Sequence, residues 1–95
     1  MRSGKRREEW ARVLEVEMRR WSAKSWAELV SELAGGQQYE VEFESRQYQV
    51  EVELLENTAQ YLHVVVAVDD GTLPASIRPL SATFLRCKDD AGAGG

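Results

Sequence analysis

Apolar and polar residues alternate along three consecutive runs in the middle of the chain. In residues 39–44 and 47–56 nearly every second residue is apolar, and most of those between are Glu or Gln. The third run, residues 60–69, is rich in β-branched residues, as in His63-Val-Val-Val-Ala-Val68. Because successive side chains of a strand point to opposite faces, the pattern predicts three antiparallel strands with one buried face and one wet, partly acidic face.

Two short connections set the expected register of these strands. A two-residue turn at residues 45–46 would place Val41 opposite Val50. A three-residue loop after the second run would place Val52 opposite Val64. In this register every inward residue meets an apolar partner, whereas a slip by one residue would set Glu against Val. Burial is therefore expected to fix the register.

Two helices are predicted before the strands. Between residues 5 and 22 apolar residues recur three or four positions apart, as they do on one face of a helix. The apolar positions of this stripe are Trp10, Val13, Leu14, Met18 and Trp21. Ser25 and Glu28 form a capping-box pattern, which predicts the start of a second, short helix over residues 26–34. One or two N-terminal helices are therefore expected to pack across the buried face of the strands.

The C-terminal part predicts a turn, a short strand and a helical turn. Asp-Asp-Gly-Thr at residues 69–72 favours a tight turn, and residues 75–78 favour a fourth strand that Pro79 ends. Leu80 and Phe84 lie four positions apart, which predicts one helical turn. The expected fold is α+β: helices on one face of a three- to four-stranded antiparallel meander, with a short C-terminal helical turn.

The size and composition fit one small domain. We expect a disordered stretch at residues 1–4, a single domain over residues 5–87 and a flexible tail over residues 88–95. The lone cysteine, Cys87, cannot form an internal disulfide, and no apolar run is long enough for a signal core or a membrane span. These features predict a cytoplasmic protein of bacterial type that does not contact a membrane.

Charge is unevenly distributed, although the net charge is only −4. Residues 1–24 hold eight Lys or Arg against four Glu, whereas residues 25–95 hold four basic residues against twelve acidic ones. A basic helix therefore precedes an acidic sheet. Self-association through these opposite charges is one interpretation, and two separately solvated faces are the preferred one.

Four short motifs lie between residues 21 and 84. They are an aromatic–Ser break in the helical start, an alternating strand pair, a strand that ends in Asp-Asp-Gly, and a Pro-Leu-Ser…Phe segment. The segments that carry them are Trp21-Ser22, Val50 to Glu53, Val68-Asp69-Asp70-Gly71, Pro79-Leu80-Ser81 and Phe84. In these motifs the chain resembles a group of small bacterial proteins of uncharacterised function. It departs from them at Thr72-Leu73-Pro74, where the others tend to have glycine and an aromatic residue. The resemblance implies an α+β fold and brings no known activity.

The candidate chemistry is sparse. His63 is the only histidine, and the predicted register places it opposite Glu53 on the wet face, where the two side chains could act as acid and base or begin a metal site. A flat strand pair lacks the concavity that excludes water, so a cross-strand ion pair is the preferred interpretation. Asp69 and Asp70 are interpreted as turn residues, and Cys87 has no activating neighbours. We therefore expect no catalytic residues, cofactor or metal.

Some apolar residues are not accounted for by the predicted core. They are Trp10, Leu55, Tyr61, Val65 and Ala67, with His63 among them. Surplus apolar surface is typical of a partner site, so the leading hypothesis is a small protein-interaction module, with a homodimer as one form of it. The alternative is a small-molecule or metal-dependent enzyme that uses His63 with nearby carboxylates. A third hypothesis is weak nucleic-acid binding through the basic N-terminal helix, which its interleaved glutamates disfavour.

Overall fold

The computed structural model describes residues 2–69 and 80–88, with residues 2–7 as backbone only. This part of the chain forms two helices followed by one four-stranded antiparallel sheet in the order β1-β2-β3-β4. The elements are α1 (Arg2–Ser22), α2 (Trp26–Glu32), β1 (Gln37–Phe43), β2 (Arg46–Asn57), β3 (Tyr61–Asp69) and β4 (Leu80–Cys87). The predicted α+β fold, with N-terminal helices packed on the sheet, is confirmed.

The two helices begin and end close to the predicted positions. The helical backbone of α1 begins at Arg2, within the residues 1–4 that were predicted to be disordered. The capping box of α2 is present, because Ser25 Oγ accepts a hydrogen bond from the Glu28 backbone amide and the Glu28 carboxylate accepts one from the Ser25 amide. This arrangement satisfies two amides that a helix start leaves without partners. Among the described helices, none is long and apolar enough to cross a membrane.

The core lies between the helices and one face of the sheet, which we call the inner face. Val50 and Val64 are buried there and Val41 is half-buried, while Glu42 and Glu51 are exposed on the opposite, outer face. The predicted alternation of strand faces is therefore correct. The buried apolar residues are Val13, Leu14, Trp21, Leu29, Leu33, Tyr48, Val50, Val52, Leu62, Val64, Val66 and Val68. Each such side chain gains about 1.5–3 kcal/mol from full burial, which makes this layer the main source of stability.

The predicted register of β1 and β2 is wrong by two residues. Val41 lies opposite Tyr48, not Val50. The turn is formed by Glu44 and Ser45, which both have positive φ values, 52° and 68°. Two successive residues with positive φ define the two-residue turn whose twist matches a hairpin, and this turn begins one residue earlier than predicted. A shift of two residues keeps every side chain on its predicted face.

The register of β2 and β3 is also shifted by two residues and then interrupted. Val52 lies opposite Val66, whereas the sequence predicted Val64. The pairing changes step between Leu54 and Glu56, so Leu55 is the extra residue of a β-bulge. The bulge moves the residues after it by one position relative to β3. This change determines which side chains meet on the outer face.

The C-terminal segment is a strand, not the predicted helical turn at Leu80 and Phe84. Residues 80–87 pair with β3 along their whole length, from Leu80 opposite Val68 to Cys87 opposite Tyr61. Alternate residues from Leu80 to Phe84 point inward, so the four-residue spacing that suggested a helix is also two strand periods. Residues 70–72 of the predicted turn and the predicted strand at residues 75–78 lie outside the described residues, as does the tail beyond Lys88.

The first helix is tied to the last strand. α1 packs on β3 and β4, and the guanidinium of Arg86 donates from Nη2 to the backbone carbonyl of Ser22 at the end of α1. A helix end leaves carbonyls without intrahelical partners, and a cation there complements the helix dipole. α2 packs on the same core through Leu29, so both helices lie on the inner side, and no described helix or strand covers the outer face.

Candidate functional site

The outer face of the sheet carries most of the residues that the sequence singled out. Both helices pack on the inner face, so no described helix or strand covers the outer one. Its side chains come from alternate positions of all four strands, and the pairing joins residues that are up to 26 positions apart, as in Tyr61 opposite Cys87. The face divides into an acidic half and an apolar strip.

The acidic half is formed by β1, β2 and the end of β3. Its carboxylates belong to Glu40, Glu42, Glu51, Glu53 and Asp69. Gln38 Nε2 donates to Glu51 Oε2 at 2.7 Å, and a shallow groove of about 240 Å³ runs between Glu40, Glu51 and Asp69. Within the four strands as described, no Lys or Arg points outward. The acidic half therefore has a negative potential that attracts cationic groups.

Beside the carboxylates lies a strip of apolar side chains on β3, β4 and the bulge. We define this outer apolar strip as Leu55, Tyr61, Val65, Ala67 and Leu85. Leu85 is 57 % exposed and Leu55 is 52 % exposed, and they are two of the three large apolar side chains that the described residues leave open to solvent. Val65 is half-buried between Glu53 of β2 and Thr83 of β4. The strip thus borders directly on the acidic half.

His63 does not face Glu53, as the sequence predicted, because the bulge at Leu55 changes its partner. It lies opposite Glu56, whose Oε1 is 3.5 Å from His63 Nδ1. The same oxygen accepts a hydrogen bond from the hydroxyl of Tyr61 at 3.1 Å. This bond to the carboxylate raises the pKa of Tyr61, since it favours the protonated phenol. The three side chains form a small polar group at one end of the apolar strip.

The enzyme hypothesis requires a cleft lined by His63 and carboxylates. His63 does not line the acidic groove described above or the larger depression described next. A separate depression of about 520 Å³ lies between α2 and β1, near Gly35, Gly36 and Glu53, and Glu53 is its only charged lining residue. In residues 2–69 and 80–88, no three His, Cys, Asp or Glu side chains are arranged to hold a metal ion. Asp70, the second carboxylate of the predicted turn, lies outside the described residues. The enzyme hypothesis stays a prediction from the sequence.

Trp10 is separated from the other predicted site residues. It lies on α1, on the inner side of the sheet, where it is half-buried and packs against the core. Its indole Nε1 donates to the backbone carbonyl of Val68 at 2.6 Å. Five of the six predicted residues thus share the outer face, and Trp10 attaches α1 to the end of β3.

A buried polar cluster that the sequence did not predict joins α1 to β1. Glu17 is only 4 % exposed, and its Oε1 accepts a hydrogen bond from the Tyr39 hydroxyl at 2.5 Å. The same hydroxyl accepts one from Trp21 Nε1 at 2.7 Å, and Arg20 Nη1 lies 3.7 Å from the Glu17 carboxylate. Burial and the bond to Glu17 together raise the pKa of Tyr39 to about 12. The spacing of Glu17 on the apolar stripe of α1, four residues before Trp21, is the signal that could have revealed it.

Comparison with known proteins adds no assignment: no family model, curated protein or solved structure matches this chain. The resemblance to small bacterial proteins stays a prediction from the motifs. The fold is α+β, and no described helix or strand covers the outer face of its sheet, so the function is argued from that face.

Proposed function

We propose that this protein is a protein-interaction module whose partner binds the outer face of the sheet. The observation that carries the proposal is the outer apolar strip, which contains Leu55 and Leu85, two of the three large apolar side chains that are more than half exposed among the described residues. Contiguous exposed apolar side chains rimmed by polar ones commonly mark a binding surface. Tyr61 adds an aromatic side chain, a residue type that is enriched at such surfaces.

The neighbouring carboxylates restrict the chemistry of the partner. A partner that covers the strip also approaches Glu51 and Glu53, so its contact face needs both apolar and basic side chains. Two copies that met outer face to outer face would set carboxylates against carboxylates or against the apolar strip. The first arrangement is repulsive and the second removes charges from water without a partner. A back-to-back homodimer is therefore disfavoured.

Affinity capture with matched variants tests the proposal. The wild type, Val65→Glu on the strip and Ala27→Glu on the exposed side of α2 are immobilised and exposed to a lysate of the native host. We expect a protein that the wild type and Ala27→Glu retain and Val65→Glu loses. That protein, purified, should bind the wild type in a calorimeter with an affinity that falls as salt rises, since basic groups meet carboxylates.

The control variant separates surface chemistry from added charge, because both substitutions introduce one carboxylate. Circular dichroism establishes that both variants keep the fold. Identical retained proteins on all three columns, or a purified protein that binds Val65→Glu as tightly as the wild type, would contradict the proposal.

A further inference from the structure

The exposed side of α1 has the composition that the outer face requires of a partner. Arg12, Val16 and Arg19 recur at four- and three-residue spacing and are all exposed, so they form one ridge that we call the α1 ridge. Val16 is 53 % exposed and is the third large apolar side chain open to solvent in the described residues. An apolar residue flanked by two cations is complementary to an apolar strip beside carboxylates.

The α1 ridge is free to meet another molecule. It lies opposite the buried stripe of α1, which contacts the sheet through Val13 and Leu14. Arg19 Nη2 lies 3.3 Å from the Glu15 carboxylate, and both side chains are largely exposed. Exposed ion pairs of this kind contribute at most about 1 kcal/mol, so Arg19 can exchange Glu15 for another carboxylate at little cost.

We propose that the α1 ridge of one copy docks on the outer face of a second copy. This inference rests on the proposed function and names the partner as the chain itself. Val16 would lie on the outer apolar strip near Val65, while Arg12 and Arg19 would approach the carboxylates of Glu51 and Glu53. The arginines are separated by about 10 Å along the helix and the two carboxylates by about 7 Å along the strand, a difference that flexible arginine side chains can bridge.

The arrangement of the two surfaces determines the kind of assembly. The α1 ridge and the outer face lie on opposite sides of the molecule, because the helix covers the inner face. Different patches therefore meet at each contact, and every copy added leaves one ridge and one face free. The assembly is head-to-tail, and it grows with concentration or closes into a ring instead of stopping at a two-fold dimer.

Two variants with one surface each disabled provide the test. The ridge variant carries Arg12→Gln and Val16→Gln and keeps its outer face. The face variant carries Val65→Lys and Leu85→Lys and keeps its ridge, and its new cations repel arginine. Sedimentation velocity follows each protein at low salt up to about 1 mM, a concentration that detects weak contacts.

The expected outcome is a specific complementation. The average mass of the wild type should rise with concentration, whereas each variant alone should bind itself roughly tenfold or more weakly. An equimolar mixture of the two variants should form a complex of two chains and no larger one. The face variant supplies the intact α1 ridge and the ridge variant supplies the intact outer face, and no other intact surfaces remain to extend the complex. Ala27→Gln with Ser31→Gln, two exposed positions of α2, is the matched control and should assemble like the wild type.

Three results would overturn the inference. They are a wild type that stays monomeric over the whole range, a mixture that remains two separate monomers, and variants that each still assemble like the wild type. If a variant fails to fold, NMR spectra of the wild type at several concentrations test the inference instead. Dilution should change the amide chemical shifts of α1 and of β2–β4 together, and shifts confined to one of these surfaces would contradict the contact. A monomeric wild type that still retains a partner in the capture experiment would overturn this inference and leave the proposed function standing.

Discussion

The hydroxyl of Tyr39 lies at the centre of the buried polar cluster between α1 and β1. It accepts a hydrogen bond from Trp21 and donates one to Glu17, so it links two turns of α1 to β1. A buried carboxylate that loses a donor keeps its desolvation penalty and loses the compensating bond. Glu17 is 4 % exposed, and the Arg20 guanidinium lies 3.7 Å from its carboxylate. The loss of the Tyr39 hydroxyl should therefore lower the free energy of unfolding of the whole domain.

Replacement of Tyr39 by phenylalanine tests this argument. Tyr39→Phe should lower the free energy of unfolding by about 1–3 kcal/mol, the usual cost of leaving a buried polar group unsatisfied. Urea denaturation measures the change. Tyr61→Phe is the control, because it also removes a hydroxyl bonded to a carboxylate, that of Glu56, but at an exposed site where the loss should be below about 1 kcal/mol. Equal losses in the two variants would contradict the assigned role of the buried cluster.

The same hydroxyl predicts how stability depends on alkaline pH. The pKa of Tyr39 is raised from 10.0 to about 12 in the folded protein, so the unfolded chain loses this proton first. The stability that the protonated phenol contributes is complete below pH 10 and is lost as pH rises toward 12. Denaturation over this range should show a steeper loss for the wild type than for Tyr39→Phe. Other groups titrate in both proteins, so parallel curves would show that Tyr39 makes no such contribution.

At the scale of strands and helices, the sequence predicts faces better than partners. The alternation of apolar and polar residues predicts Val50 and Val64 on the inner face and Glu51 on the outer face, because only this orientation of the strands buries the apolar side chains. The sequence determines the register less strongly, since a shift of two residues exchanges one apolar pair for another and leaves every side chain on the same face. Val52 meets Val66 in the structure, not Val64, for this reason.

The candidate site was predicted as a set of residues and not as a geometry. Five of its six members share the outer face because strand parity alone places them there. The partner of His63 could not be predicted, because it depends on the bulge at Leu55, and an extra residue leaves no periodic signal in a run that already contains Leu54 and Leu55 side by side. Leu85 was missed because residues 80–84 fitted a helical period as well as a strand period.

The β1–β2 turn yields a prediction at the element scale. Glu44 and Ser45 adopt φ values of 52° and 68°, a region that costs residues with a Cβ atom roughly 1–2 kcal/mol each. Glu44→Asn with Ser45→Gly supplies the pair preferred in such turns and should raise the free energy of unfolding by about 1 kcal/mol. Thermal and urea unfolding measure the gain.

A matched variant separates backbone conformation from charge in this turn. Glu44→Gln with Ser45→Ala removes the same negative charge but keeps two ordinary side chains, so it should gain little. If it is as stable as the Asn-Gly variant, the gain comes from reduced repulsion among carboxylates, and the turn conformation is not the cause.

At the scale of the whole molecule, opposite charges lie on opposite sides. Among the residues whose side chains are described, α1 exposes Arg12, Arg19 and Arg20 on one side of the core, and the outer face exposes a row of carboxylates with no described cation among them. The net charge of −4 conceals this separation. A molecule of this kind attracts its own copies in one orientation and repels them in the other, so the sign of a salt effect reports which surfaces meet.

Salt dependence should therefore distinguish the two modes of self-association. Between about 0.1 M and 1 M NaCl the screening length falls from about 10 Å to about 3 Å. If the α1 ridge meets the outer face, the dissociation constant should rise by roughly tenfold over this range, because the attraction between arginines and carboxylates is screened. The removal of two carboxylates by Glu51→Gln with Glu53→Gln should weaken assembly at low salt and flatten its salt dependence. Back-to-back pairing requires the reverse, since salt would screen the repulsion between two acidic halves, and an association that strengthens with salt would exclude the helix-on-sheet contact.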